Sequence, residues 1–101
     1  MKMNVMERLI LLGILPKESN FATLMIVKNL TSNLGLSEED YKEFEVEQKQ
    51  DRIIWNKKGE EEREIKIGEK ATDIIIESLK KLDEEKKLTE QHFSLYEKFV
   101  K

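Results

Sequence analysis

The stretch Phe44–Ile67, FEVEQKQDRIIWNKKGEEEREIKI, is where the chain changes its period. Phe44-Glu45-Val46-Glu47 alternates apolar and acidic residues, Arg52-Ile53-Ile54-Trp55 follows the polar Gln48–Asp51, and Glu64-Ile65-Lys66-Ile67 alternates again. Alternation with period two over short runs is the mark of a half-buried strand. Three such runs and two turn-like connections predict a three-stranded antiparallel meander. Phe44, Val46, Ile53, Trp55, Ile65 and Ile67 would face a core, while Glu45, Glu47, Glu64 and Lys66 meet solvent. Ile54 falls on the wrong side, which marks a bulge, a second covered face or an exposed contact residue. Trp55 reads as core or, failing that, as an interface anchor.

On both sides of this stretch the period is helical. Asn4–Leu15 is apolar almost all round after Arg8 and must stop before Pro16, because proline pushes the preceding residue out of the helical region. Phe21–Leu34 follows, with Ser19 or Asn20 as its N-cap. Asn33-Leu34-Gly35-Leu36 predicts a left-handed glycine closing that helix in a Schellman motif. Ser37-Glu38-Glu39-Asp40 has capping-box spacing for a short third helix to about Glu43. After Gly68, a long helix is expected over Glu69–Lys87, with Ala71, Ile74, Ile75, Ser78, Leu79 and Leu82 on one stripe. Thr89 then caps a last helix running to about Val100. The fold class is therefore α+β, in one domain spanning residues 1–101: two N-terminal helices and a short third, a three-stranded antiparallel meander, and two C-terminal helices.

Of 101 residues, 39% are hydrophobic and 39% charged, so the chain is rich in charge yet has apolar clusters enough for one small core. It has no cysteine, which removes disulfides, thiolate metal sites and thiol nucleophiles and suits a reducing cytoplasm. Glu7 and Arg8 interrupt the apolar start and leave only Leu9–Leu15 uncharged, far short of the roughly 20 residues that span a bilayer. That run reads as a buried helix, and no membrane partner is expected.

The inventory for catalysis is thin. His92 is the single histidine; it could act as a general base, but its neighbours Phe93, Leu95 and Tyr96 favour a packing role. Asp83-Glu84-Glu85 is consecutive on a helix, so its carboxylates diverge instead of converging on a metal. Neither a phosphate-binding glycine loop nor a nucleophile-elbow sequence is present. The chain is not expected to be an enzyme, and no cofactor or metal is expected.

Charge is unevenly placed. Residues 38–64 carry eleven acidic and six basic side chains, whereas residues 65–101 carry eight of each. A helix-helix-helix-strand order also describes a winged helix, whose recognition segment would be SEEDYKE at 37–43 and whose wing tip would be Asn56–Glu62. Acids at both places repel phosphates, so direct nucleic-acid binding is disfavoured. The opposite use fits better: an acidic face of Glu45, Glu47, Asp51, Glu60, Glu61, Glu62 and Glu64 could dock on a basic groove. The closing HFSLYEKFVK places Phe93, Tyr96, Phe99 and Val100 on more than half of a helix circumference. Burial of each large side chain contributes roughly 1.5 to 3 kcal/mol, so the segment must be covered, by its own core or across a homodimer interface.

With ILPKESNFATL at residues 14–24 and LKKLDEEKKLTEQHFSLYEKFV at 79–100, the chain resembles small phage and prophage proteins of low-GC bacteria. That resemblance implies a cytoplasmic protein, in the host cell if phage-encoded, made during infection or lysogeny and working by contact. It brings no family site residues. The reading is a small interaction protein that binds a host or phage macromolecule, most simply a protein, with inhibition of a host nucleic-acid-binding or defence protein as one form. A winged-helix DNA-binding regulator and a phage particle assembly factor are the alternatives. Monomer and homodimer both remain open.

Overall fold

A computed structural model describes Met1–Lys101. The elements in chain order are β1 (Lys2–Met3), α1 (Val5–Ile14), α2 (Phe21–Leu34), α3 (Glu38–Glu43), β2 (Glu47–Lys49), β3 (Arg52–Ile54), β4 (Arg63–Glu64), α4 (Glu69–Glu84) and α5 (Phe93–Phe99). Two 3-10 turns, Lys57–Glu60 and Glu90–His92, precede β4 and α5. This is an α+β fold with one core. Met3, Leu11, Leu30, Leu34, Ile75, Leu79 and Leu95 are fully buried where α1, α2, α4 and α5 meet.

Local chemistry sets most helix ends. Asn4 and Glu7 form a capping box at α1: the Glu7 N–H donates to Asn4 Oδ1 at 2.9 Å and the Asn4 N–H to Glu7 Oε1 at 3.1 Å. Leu15 leaves the helix in an extended conformation ahead of Pro16. Asn20 caps α2 through its side chain. Ser37 and Asp40 cap α3 reciprocally, as their spacing predicts. On α4 the expected stripe faces inward, with Ala71, Ile75 and Leu79 buried.

Three expectations need correction. The strands do not form one three-stranded meander. β2 and β3 make an isolated antiparallel hairpin with Gln48 opposite Ile53, while β4 pairs antiparallel with β1, Lys2 opposite Glu64 and Met3 opposite Arg63. Asn56 explains the parting. Its Oδ1 accepts from the N–H groups of Lys58 (3.0 Å) and Gly59 (3.3 Å), winding residues 57–60 into a turn that carries the chain away from β3. Gly59 is buried there against Trp55 and Val5, and a Cβ on it would lie 2.5 Å from Trp55 Cδ1. Trp55 is thus half-buried over a glycine instead of lying in the main core. The first expected strand also starts late: Phe44 is the buried C-cap of α3 and Glu45 has φ 50°, so pairing begins only at Glu47.

Secondly, Gly35 is not left-handed. It is extended, with φ −61° and ψ 151°. The Gly35 N–H continues the helical pattern to the Thr31 carbonyl at 2.9 Å, and Arg8 donates to the carbonyls of Leu34 and Gly35 at 2.9 Å from Nε and 2.7 Å from Nη2, which holds the chain in its extended exit from α2. Thirdly, α4 stops short of Lys87 because that motif occurs at its end. Lys86 has φ 58°, its N–H donates to the Asp83 carbonyl at 3.0 Å, and the Lys87 N–H donates to Leu82 at 2.8 Å. A lysine in the left-handed region carries a Cβ penalty that glycine lacks. Lys86→Gly is therefore expected to raise stability by about 0.5 to 1 kcal/mol, read as a higher urea midpoint; a lower midpoint would contradict the assignment of this cap.

The solvent-accessible surface is 7419 Å² for 12.0 kDa, against about 6,000 Å² for an average folded monomer of that mass. The radius of gyration is 13.8 Å, against about 13 Å for a chain of this length. The three principal extents are 35, 28 and 26 Å. No helix is long and apolar enough to cross a membrane.

Candidate interaction surface

The acidic residues singled out from the sequence occupy three places: Glu45, Glu47 and Asp51 on or beside the hairpin, Glu60 and Glu61 at the 3-10 turn, and Glu62 and Glu64 around β4. Four of them are occupied by cations of the same chain. Glu62 pairs with Lys98, Glu64 with the N-terminal amine, Glu61 with Arg63 at 3.8 Å and Glu47 with Lys49 at 3.6 Å. The hydrogen bond from the amine holds the Glu64 carboxyl below its ordinary range. Glu45 accepts a hydrogen bond from Asn56 Nδ2 at 2.9 Å, and neither it, Asp51 nor Glu60 makes an ion pair. The segment is acidic by count but largely compensated in space.

α3 uses its charges on both sides. Asp40 turns inward to Arg8 at 3.4 Å, and Glu43 pairs with Arg63, whose guanidinium lies 5.1 Å from the centre of the buried Phe44 ring. Partial burial pushes the Asp40 carboxyl up, but the Ser37 N–H and hydroxyl together with Arg8 more than offset this and hold it low. Glu38 and Glu39 face solvent without ion partners.

Between these charges lies an apolar surface that pattern reading of the sequence did not assemble. Leu9, Leu36, Tyr41, Val46, Gln48 and Ile53 line a dimple of about 50 Å³ where α1, α3 and the hairpin meet. Tyr41 is 50% exposed and Ile53 38%. Register explains Ile53: it stands opposite Gln48 and shares its face, turned toward α1, whereas Ile54 stands opposite Glu47 on the other face. Neither face of the hairpin is fully covered by other elements, so both isoleucines stay partly in water, each 38% exposed. The one available signal was a tyrosine among the charged residues of SEEDYKE.

The closing segment folds back on the chain. Leu95 and Phe99 are buried in the common core, and Val100 and Tyr96 pack against it. The Tyr96 hydroxyl donates to Asp83 at 3.3 Å; burial and that carboxylate both push its pKa up. Phe93 alone points out, 67% exposed, beside a groove of about 250 Å³ that includes His92 and Tyr96. His92 Nδ1 accepts the Thr89 N–H at 2.9 Å, capping the 3-10 turn at 90–92. No three His, Asp or Glu side chains converge as a metal site would require.

Neither a protein-family model, nor a curated sequence, nor a solved structure matches this chain.

Proposed function

We propose that this chain works by contact, binding another protein through the surface formed by α1, α3 and the β2–β3 hairpin. The observation that carries this reading is the open dimple with Tyr41 and Ile53 standing half-exposed at its edge. An aromatic residue with a polar tip beside an aliphatic one, around a hollow, is the make-up of an interface centre, and Tyr is enriched among residues that dominate binding. The exposed charge of α3 and of the hairpin with its flanks is acidic on balance: Glu38, Glu39, Glu45 and Asp51 lack ion pairs, against Lys42 and Arg52. Such a balance favours a partner with lysine or arginine around an apolar centre and speeds its encounter at low salt.

A photo-crosslinking residue placed at Ile53 tests this in cells that make the protein, with Glu84 on α4 as the control position. A discrete adduct is expected from position 53 and none from position 84. With the partner so captured, Tyr41→Lys is expected to weaken binding about tenfold or more while leaving the urea midpoint unchanged. Equal labelling from both positions, or no adduct at position 53, would dispose of the reading.

A further inference from the structure

We infer that Asn56 is a positioning residue for the contact surface proposed above, on which this inference rests: its side chain latches the β2–β3 hairpin, an arm that swings open to admit a partner's side chain and closes on it. The arm is held at its base and nowhere buried. Every residue of β2 and β3 is exposed, the two strands pair with no third, and none of their side chains joins the common core. Few buried apolar contacts and exposed backbone hydrogen bonds mark a segment that opens without the rest of the fold. The dimple gives such opening a use. At about 50 Å³ it is a third of the roughly 150 Å³ cavity that takes a benzene ring, so with the arm closed it cannot receive a leucine or phenylalanine.

Both ends of the arm pass through one joint. At its start, Glu45 stands in the left-handed region with φ 50°, a conformation that residues other than glycine hold only where their surroundings enforce it. At its end, the Asn56 N–H donates to the Phe44 carbonyl at 2.8 Å. Across the joint, Asn56 Nδ2 donates to the Glu43 carbonyl at 3.0 Å and to Glu45 Oε2 at 2.9 Å, while Oδ1 accepts from the N–H groups of Lys58 and Gly59. All four hydrogen-bonding sites of the amide are used, and the two backbone donors fix which end is the oxygen. The two halves of the amide therefore have different roles. Oxygen holds the 3-10 turn at 57–60; nitrogen ties the end of α3 and the first residue of the arm together. The two bonds from nitrogen are exposed to water, which competes for them and makes the latch reversible.

Asn56→Asp separates these roles, because it keeps the oxygen, loses the nitrogen and sets a second carboxylate against Glu45. Amide hydrogen exchange of the full chain reads the joint through Val46, whose N–H donates to the Tyr41 carbonyl at 3.1 Å. Ile75 and Leu79, on the buried face of α4, are the reference. In the parent, Val46 should exchange at least tenfold faster than both reference amides. In Asn56→Asp it should exchange a further tenfold or more faster, about the loss of two ordinary hydrogen bonds, with the reference rates and the urea midpoint little changed. Adding Glu45→Gln reverses donor and acceptor across the joint and should recover part of the difference. With the partner captured through position 53, Asn56→Asp should raise the dissociation rate about tenfold and leave the association rate no lower. Val46 protected as strongly as Ile75 and Leu79, a Val46 rate unmoved by Asn56→Asp, no recovery in the double variant, or slower association would overturn the proposal. A missing adduct at position 53 would remove the contact surface and not the arm, which the exchange rates test without a partner.

Discussion

Arg8→Met is expected to destabilise the fold by about 3 to 5 kcal/mol, the range for breaking a buried charge network by removing one partner. Arg8 is 5% exposed, and its guanidinium is the only donor reaching the Leu34 carbonyl, the Gly35 carbonyl and the Asp40 carboxylate together. Methionine fills a similar volume but leaves two carbonyls at the C-terminus of α2 without a donor. Each unsatisfied buried acceptor costs about 1 to 3 kcal/mol. The cation also sits where the helix dipole is negative, which adds to the loss. Arg8→Lys should recover only part of it, because a point charge cannot serve three acceptors arranged for a fork. Urea unfolding followed by the single tryptophan, Trp55, measures both variants. A loss below about 1 kcal/mol for Arg8→Met would mean that α2 ends independently of α1, since that is the value of one ordinary hydrogen bond.

Lys98→Met is expected to cost about 2 to 3 kcal/mol near neutral pH and much less in acid. The figure lies below that for a fully buried pair because the Lys98 side chain keeps 24% of its exposure. Lys98 Nζ donates to Glu7 at 2.9 Å, to Glu62 and to the Lys2 carbonyl at 2.9 Å, while Ser94 Oγ donates to the second Glu7 oxygen at 2.9 Å. Burial alone would push the Glu7 carboxyl up, but Lys98, the Asn4 N–H and Ser94 together hold it below its ordinary 4.5. A depressed carboxylate contributes stability that is present above the unfolded value and lost as pH falls through the folded one. Lys98 runs the other way: burial lowers it, Glu62 and Glu7 more than restore it, and its raised pKa gives stability that is lost as pH climbs past 10.5 through the folded value. The pair is therefore intact between the two limits. Without Lys98, Glu7 keeps its burial but loses the largest of the contacts that lower it, so its carboxyl rises relative to the parent and the gap between the two proteins narrows as pH falls through the parent's depressed Glu7 value. A gap of constant size from neutral to acid pH would show that the loss comes from packing and not from charge.

What was legible in the sequence followed the range of the interaction. Caps at Asn20 and at Ser37 with Asp40 depend on residues three apart, and they occur where the spacing puts them. The α4 stripe likewise reflects its own period. Strand pairing did not follow, because the partner of β4 is the two-residue β1, too short to show any alternation, 61 residues upstream of Glu64 at its nearest residue, Met3. Glu7 and Arg8 read as a break in an apolar run, yet they are the two buried charges that join α1 to α5 and to α2. Their partners lie 26 and 91 residues away, beyond the reach of periodicity. The Schellman position was assigned to glycine by residue preference, whereas a lysine occupies it at the end of α4. For the candidate surface, the acids were visible by count, but their ion partners, and the meeting of Tyr41 with Ile53, depend on how α3 and the hairpin are set against α1.

The seam where Lys98 meets Lys2, Glu7 and Glu62 also has a consequence for the order of events as the chain folds. It joins residues 96, 91 and 36 apart. A loop of that length is closed only after its entropy has been overcome, with little local structure to assist. The hairpin and the individual helices close over a few residues and are expected to form first, with the seam last, on the native side of the barrier. Loss of the Lys98 ammonium then leaves the refolding rate nearly unchanged and appears as faster unfolding. On this account the side chain that joins the two ends of the chain governs how long the native state lasts, and hardly at all how quickly it is reached.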